Sequence, residues 1–369
     1  MVSNDGLVAT EASTGIRLGV VDGDGIGREI VPAARRVVDE VLAVVHGPRV
    51  EWVSATMGHA AIDQHGEPLP ESTMQALDDV DGWLMGPHDS ASYPPEVRTG
   101  PPPGGAIRKR FDLFANVRPA RAFTGVQSIA PDMDLVIVRE NSEGLYADRN
   151  MFAGAGEFMP TPDVAMSVGV VTRAATERIA HHAFRLAQTR RKHVTIVHKA
   201  NVLSMTTGLF LDVCRDVAAS YPDVTIDDEH VDAMAAHLVR RGADFDVVVA
   251  ENLFGDILSD LAGELSGSLG TAASLNCSES QAMAQAAHGA APTIAGRNRA
   301  NPTAMILSAA MLLHWLSERH TDPLLAQAGK RIEHAVAATF EAGIATADLG
   351  GLVSTSEFTE NVIARVHRR

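Results

Sequence analysis

The stretch Ile16–Val21 (IRLGVV) is apolar, stops at Asp22-Gly-Asp-Gly-Ile-Gly27, and gives way to apolar residues of helical period over residues 29–45. A buried strand that passes through a glycine turn into a helix is the start of a crossover unit, and it restricts the chain to folds in which strands and helices alternate. Apolar runs at residues 82–85, 135–138, 194–197 and 246–250, each flanked by longer helical stretches, extend the pattern. The fold class that follows is α/β, with a mostly parallel sheet flanked by helices. At 369 residues, 46% of them hydrophobic, the chain is long enough for two domains. Residues 93–105, which contain Pro101-Pro-Pro-Gly-Gly105, read as a loop, because proline fixes φ and removes a donor. The alanine-rich residues 280–291 read as a helix leading into a loop, and His181-His182 as helix surface.

Charge narrows the partners. The 31 Lys and Arg against 46 Asp and Glu leave a formal charge of -15, which repels phosphate backbones and anionic lipid over roughly one Debye length. Nucleic acid and membrane are therefore not expected partners, and an anionic substrate needs a local basic pocket. Cys214 and Cys277 are far apart and lack zinc-ligand spacing, so neither a disulfide framework nor a cysteine metal site is implied. The opening residues lack the basic start and apolar run of a secretion signal, and no later stretch reaches the roughly 18–20 apolar residues of a membrane span. A cytoplasmic location is expected.

Four constellations bear on chemistry. Gly23-Asp-Gly-Ile-Gly27 has the spacing G-x-G-x-G, whereas a dinucleotide fingerprint needs G-x-G-x-x-G; a tight turn without phosphate contact explains the glycines as well as a ligand does. Arg108, Lys109, Arg110, Arg118, Arg121 and Arg139 gather in an otherwise acidic chain. A guanidinium grips a carboxylate through two parallel hydrogen bonds, so a substrate with several carboxylates calls for several arginines, although spacing alone does not separate such a set from structural ion pairs. Tyr146 and Lys199 follow apolar strands where these run out into loops, the place at which open α/β sheets bind ligands, and they form a candidate acid and base pair. Taken singly, each reads as a half-buried tyrosine and a snorkelling lysine. Asp256 and Asp260 stand four apart on one face of an expected helix, with Asp232 upstream. Like charges at that spacing repel by roughly a few tenths of a kcal/mol, so a cation should offset them, and carboxylate oxygens suit Mg²⁺ or Mn²⁺. An exposed acidic face is the plain alternative. No pair of histidines frames a glutamate at helical spacing, so the histidines carry no metal role.

In this order, Gly23-Asp-Gly-Ile-Gly27, Asp112-Leu-Phe-Ala-Asn-Val-Arg-Pro119, Arg139-Glu-Asn-Ser-Glu-Gly144, His198-Lys-Ala-Asn-Val202, Glu251-Asn-Leu-Phe-Gly-Asp-Ile-Leu-Ser-Asp260, His288-Gly289 and Ala300-Asn-Pro-Thr303 resemble the motifs of the β-decarboxylating dehydrogenases. That family contains isocitrate, isopropylmalate, homoisocitrate, tartrate and D-malate dehydrogenases, and the resemblance runs over residues 18–362. It implies a two-domain isopropylmalate-dehydrogenase-like fold with a discontinuous first domain: residues 1–113 plus 267–369 for the cofactor, 114–266 for substrate and dimerisation. It also implies a homodimer with shared active sites. The residues matching Lys199 and Asp232 would come from the neighbouring subunit, and residues 146–172 would form an intersubunit clasp. Arg108, Arg118 and Arg139 match the binders of the malate carboxylates, and Asn201 a polar contact near nicotinamide and substrate. Asp232, Asp256 and Asp260 match the ligands of Mg²⁺ or Mn²⁺. Lys199 matches the group that assists loss of the 2-hydroxyl proton, and Tyr146 the group that protonates carbon after CO₂ departs. His288, Gly289, Ala291, Thr293, Ile294 and Asn301 match the adenosine-binding segment, with Pro302 expected at the first position of a helix capped by Asn301.

The chain departs from the family pattern at several places. NAD-using relatives carry Asp where Thr293 stands and NADP-using relatives a Lys; Thr346-Ala-Asp-Leu-Gly-Gly351 looks like the NAD form, so NAD is expected, with Arg297 and Arg299 leaving NADP open. Gln285 replaces a glutamate common near the nicotinamide ribose. Ahead of Arg108, the residues Pro102, Gly104 and Gly105 offer neither the leucines of an isopropyl pocket nor the Ser and Asn that meet the extra carboxylate of isocitrate. The segment Arg139-Glu-Asn-Ser-Glu-Gly144 is nearer the isocitrate, homoisocitrate and tartrate side. The expected reaction is metal-dependent oxidative decarboxylation of a 3-substituted D-malate, isopropylmalate-like, with hydride transfer to NAD; homoisocitrate, isocitrate, D-malate and tartrate are the rival substrates. A Mg²⁺-dependent phosphotransferase would need a G-x-x-x-x-G-K-[ST] loop, which is missing. A non-catalytic regulatory subunit would have no need of Tyr146, Lys199, the three arginines and the three aspartates together.

Overall fold

The computed structural model describes residues 15–98, 100–146, 151 and 156–368. The chain begins with β1 (Ile16–Val21), α1 (Gly27–Val44), β2 (Val50–Ser54), α2 (His59–His65), α3 (Glu71–Asp78), β3 (Gly82–Met85), α4 (Pro103–Arg110), β4 (Ala115–Arg121) and β5 (Asp134–Glu140). An exposed ribbon, β6 (Glu157–Thr161) and β7 (Val164–Ser167), leads to α5 (Arg173–Gln188), β8 (His193–His198), α6 (Thr206–Ala218), β9 (Thr225–His230), α7 (Val231–Arg241), β10 (Val247–Ala250) and α8 (Asn252–Ser266). The rest is β11 (Leu275–Cys277), β12 (Ala282–Ala284), α9 (Thr303–His320), α10 (Pro323–Glu341) and α11 (Thr355–Val366).

Ten strands form one sheet in the order β2-β1-β3-β12-β11-β4-β5-β10-β8-β9. The sets β2-β1-β3-β12 and β5-β10-β8-β9 are each parallel. Between them β11 and β4 are antiparallel to each other and to their outer neighbours, so the two parallel sets run in opposite directions. Strands such as β3 and β10 are buried at every residue, as expected where helices cover both faces. The chain crosses this central seam outward at β4 and returns at β11.

The principal core runs along the sheet under α1, α9, α10 and α11. On α1 the residues Ile30, Val31, Ala34, Val37, Val38 and Val41 recur at helical spacing and are buried. On α9, Met305, Ile306, Ala309, Leu312, Leu313 and Leu316 are buried. Each of the larger side chains contributes roughly 1.5–3 kcal/mol by leaving water. Among the described residues no helix is long and apolar enough to cross a membrane.

The sequence reading needs four corrections. Residues 280–291 are not a helix: Ala282–Ala284 form β12, wholly buried between β3 and β11, where tertiary packing overrides the helix preference of alanine. The stretch 93–105 is not all loop, because α4 begins inside it at Pro103; proline suits a first turn, whose N–H groups have no helical partner anyway. His181 and His182 lie on α5, but His182 is not on open surface: it meets the Phe114 ring edge-on at 6.4 Å, and burial pushes its pKa down to about 4. Helix α9 starts one residue later than expected, with Pro302 at its cap position, while the Asn301 side chain accepts from the Thr303 N–H at 3.0 Å.

The glycine turn is a docking edge. Gly23 and Gly25 have φ of +68° and +55°, the Ile26 N–H donates to the Ala290 carbonyl at 2.9 Å, and a Cβ on Gly25 would lie 2.0 Å from that oxygen. The turn therefore holds the loop that follows β12. Gly25→Ala is expected to lower unfolding free energy by about 2–3 kcal/mol, read as a lowered urea midpoint. Gly66→Ala, at φ +78° with nothing within 4 Å, should cost only about 1 kcal/mol of backbone strain. Equal shifts in the two variants would contradict the docking role.

Candidate active site

The site is built where β5 and β10 end beside the first turns of α8. Arg139 of β5 lies opposite Ala250 of β10. The next residue, Glu251, caps α8, its carboxylate accepting from the Leu253 and Phe254 N–H groups, which meets donors that a helix start leaves open. One turn on, Asp256 and Asp260 share a face, and the cation expected to offset them is a guanidinium. Arg118 Nη1 donates to Asp256 at 3.0 Å, Asp260 at 3.2 Å and Ser259 Oγ at 2.8 Å. Arg139 Nη1 also pairs with Asp256. Both arginines are buried. Tyr146 donates its hydroxyl to Asp256 Oδ2 at 3.2 Å, and the Arg139 guanidinium lies 5.6 Å from the Tyr146 ring centre. Arg108, in the last turn of α4, donates to Asn276 Oδ1 at 3.0 Å and Gln285 Oε1 at 2.9 Å.

Charge and burial act in opposite senses on the two aspartates. Burial works to raise the Asp256 pKa, but Arg139, Arg118 and Arg108 outweigh it and the group ends below the usual carboxylate value. Burial prevails at Asp260, which ends above that value although Arg118 lowers it in part. Beside Arg108 a cavity of about 320 Å³ is lined also by Asn141, Ser142, Glu143, Thr172 and Arg178. Glu143 accepts from the Thr172 N–H at 2.7 Å and its hydroxyl at 2.9 Å, tying the cap of α5 to the loop that follows β5. Burial pushes the Glu143 pKa up to about 7. Of residues 146–172, expected to form an intersubunit clasp, 147–150 and 152–155 lie outside the described residues.

Lys199 and Asp232 form a separate group. The Lys199 Nζ pairs with Asp232 in the first turn of α7, and that hydrogen bond holds the Asp232 carboxyl below its usual pKa. Asn201 is exposed, next to the exposed apolar Val202, Leu203 and Met205, the last 87% exposed. Neither Lys199 nor Asp232 joins the network around Asp256, and among the described residues no three His, Cys, Asp or Glu side chains are grouped to hold a metal. The donor chemistry nevertheless fits a hard divalent cation: Asp256 and Asp260 offer only oxygen, keep partial solvent access, and leave most of a six-coordinate shell to other groups.

The segment matched to adenosine binding follows β12. His288 Nδ1 contacts the Gly289 carbonyl at 3.0 Å, its Nε2 is buried with no partner among the described residues, and burial lowers its pKa, which favours the neutral ring, able to bond a nucleoside group. Nothing crowds the Gly289 Cα. Ala291 has φ of +40°, Ile294 packs on the main core, and Thr293, Arg297 and Arg299 are exposed. Asn301 donates to Asp348 at 3.0 Å, and Asp348 also accepts from Ser268 at 2.8 Å. This chemistry fits a nicotinamide dinucleotide.

Sequence reasoning did not single out Asp24, Asn116, Asn252 or Asn276. Asp24 is buried and accepts from the His59 N–H at 2.8 Å, the Asp89 N–H at 2.9 Å and the Tyr93 hydroxyl at 2.5 Å, bracing the glycine turn. The signal available in sequence was a polar residue inside a segment otherwise expected to be buried.

The family model described as isocitrate/isopropylmalate dehydrogenase matches residues 17–362. The chain is 44% identical over 351 residues to the isocitrate/homoisocitrate dehydrogenase of Thermus thermophilus, an alignment that covers 94% of this chain and 97% of that protein. It is 41% identical over 344 residues to the 3-isopropylmalate dehydrogenase of Archaeoglobus fulgidus, covering 93% and 97%. Among solved structures, isocitrate dehydrogenase from Methylococcus capsulatus superposes with a TM-score of 0.85 at 39% identity, covering 96% of this chain and all of that one. These matches, with the arginines and aspartates gathered at the end of β5 and the start of α8, establish that the chain belongs to the isocitrate/isopropylmalate dehydrogenase family of decarboxylating hydroxy acid dehydrogenases.

Proposed function

We propose that the chain oxidises and decarboxylates a 3-substituted D-malate, isopropylmalate-like, with NAD as hydride acceptor and Mg²⁺ or Mn²⁺ as metal, working as a homodimer with shared sites. The observation that carries this reading is the convergence of Arg108, Arg118, Arg139 and Tyr146 on the Asp256 carboxylate. Arg108, Arg118 and Arg139 would bind the two malate carboxylates, and such anchoring fixes the reacting carbon in place. Asp256 and Asp260, with Asp232 of a second protomer, would hold the divalent ion. When bound, the ion supplies Lewis-acid polarisation of substrate oxygens and the nicotinamide supplies the hydride acceptor. Lys199 of one protomer would assist loss of the 2-hydroxyl proton in the site of its partner. Tyr146 would deliver its phenolic proton to the carbon that CO₂ leaves.

Support for the dimer lies in exposed apolar surface. Phe158, Met159, Val164 and Met166 on the ribbon, Val202, Leu203 and Met205 ahead of α6, and Ile257 on α8 are all exposed, beyond what scattered surface hydrophobics account for. His288, Gly289, Ala291, Thr293, Ile294 and Asn301 would hold the adenosine, and Asn201 would lie near the nicotinamide. The seam between the parallel sets would divide a cofactor domain of residues 1–113 plus 267–369 from a substrate domain of residues 114–266. Homoisocitrate or isocitrate is the second reading of the substrate. It is favoured by the 44% identical relative and by the segment Arg139-Glu-Asn-Ser-Glu-Gly144, while Pro103, Gly104 and Gly105 at the start of α4 favour neither substrate. NADP is the second reading of the cofactor, through Arg297 and Arg299.

Two measurements follow. Purified protein with Mn²⁺ should reduce NAD with 3-isopropylmalate or, on the second reading, homoisocitrate, isocitrate, D-malate or tartrate, and EDTA should abolish the signal. Activity that survives EDTA would remove the metal from the account. Tyr146→Phe should lower kcat by about 10²–10⁴-fold through loss of a proton donor, while KM stays within about threefold because the arginines remain. An unchanged kcat would remove Tyr146 from the chemistry.

A further inference from the structure

The three arginines share a bonding pattern that reaches beyond the aspartates. Each donates its Nε–H to an asparagine side-chain carbonyl: Arg108 to Asn276 at 3.0 Å, Arg118 to Asn116 at 3.3 Å, and Arg139 to Asn252 at 3.0 Å. All three asparagines are 0% exposed. They stand on one frame. Asn276 of β11 is opposite Asn116 of β4, which is opposite Arg139 of β5, so these side chains form one row across the antiparallel seam, where residues directly opposite share a face. Asn252 opens α8 two residues beyond Ala250, which is opposite Arg139 on the other side.

The choice of an amide has a consequence. A guanidinium can present an anion either its terminal Nη edge or the side edge that includes Nε. An acceptor on Nε occupies the side edge, which in Arg139 includes Nη2, also donated to Asn252 at 2.7 Å, and it leaves Nη1 facing outward, as seen where Nη1 of Arg118 and of Arg139 reaches Asp256. A neutral carbonyl does this without cancelling the positive charge, whereas a buried carboxylate there would pair with the guanidinium and weaken its pull on a substrate anion. The arrangement is not optimal for stability. Nδ2 of Asn116 and of Asn276 is buried with no partner among the described residues, and buried polar groups left in that way are uncommon. Asn252 is better satisfied, donating to the Glu143 carbonyl at 2.9 Å.

We propose that Asn116, Asn252 and Asn276 are positioning residues for substrate binding: each orients one arginine toward the substrate carboxylates while leaving its charge intact. The inference rests on the proposed reading of the arginines as carboxylate binders. The test uses full-length protein and four variants, Asn116→Asp, Asn252→Asp, Asn276→Asp and Asn276→Ala. Each is titrated calorimetrically with the five candidate acids in the presence of Mn²⁺, alongside its thermal midpoint and NAD reduction. The Asp variants keep the acceptor and add charge, and for the acid that wild type binds their Kd should rise about 10- to 100-fold. Asn276→Ala deletes the amide without adding charge, so it remains informative if the Asp variants do not fold, and its Kd should rise about tenfold. A purely structural role would lower the thermal midpoint and leave the Kd of the folded protein unchanged; that result overturns the inference. Wild type that binds an acid but reduces no nicotinamide would sink the proposed reaction, and the Kd comparison would still decide the asparagines. Wild type that binds none of the acids would overturn both.

Discussion

Asp256 carries the structure's most consequential interaction, a carboxylate placed between two buried guanidiniums. Arg118 and Arg139 come from neighbouring strands of the seam, and Asp256 from the helix that caps it. Taking two cations out of water is costly, and the cost is met only when the partners are close and the remaining donors are satisfied. Ser259, Asn116 and Asn252 satisfy those donors. The reversal of strand direction at β4 and β11 matters here, because it brings residues from distant parts of the sequence into one row. Charge, hydrogen bonding and sheet topology thus depend on one another at a single place.

On the proposed reading, that place is one of two half-sites. The aspartates are bound by arginine where a metal is expected, and Lys199 is bound by Asp232 where a proton-accepting amine is expected. Exposed apolar residues flank both groups in sequence, Ile257 beside Asp256 and Val202, Leu203 and Met205 after Lys199, and the ribbon carries more. Bringing a second copy against these surfaces would bury the apolar residues. It would also offer each half-site its complement, and a divalent ion would compensate the aspartates once the arginines turn to substrate.

Much of this was legible in the sequence, for physical reasons. Ile16–Val21 and Gly82–Met85 were read with their boundaries correct, because buried parallel strands are continuously apolar and end at glycine or polar residues. The helical spacing of Asp256 and Asp260 was readable because four residues make about one turn. Other features depend on contacts that sequence order conceals. The alanines of β12 favour helix until β3 and β11 enclose them. Pro103 reads as a breaker until it is seen in a first turn. Asn116 and Asn252 lie inside motifs that were recognised, yet their hold on Arg118 and Arg139 is a matter of register and could not be read along the chain.

The claim that the two half-sites belong to one active site across a subunit boundary can be tested by mixing defects. Lys199→Met and Asp256→Asn should each abolish NAD reduction alone. When the two variants are unfolded together and refolded as an equal mixture, each heterodimer should contain one site with both residues intact. Random pairing of a two-fold dimer then restores about a quarter of wild-type activity. Recovery near that level supports the shared site. A mixture that contains heterodimers and stays as inactive as its parents would contradict it.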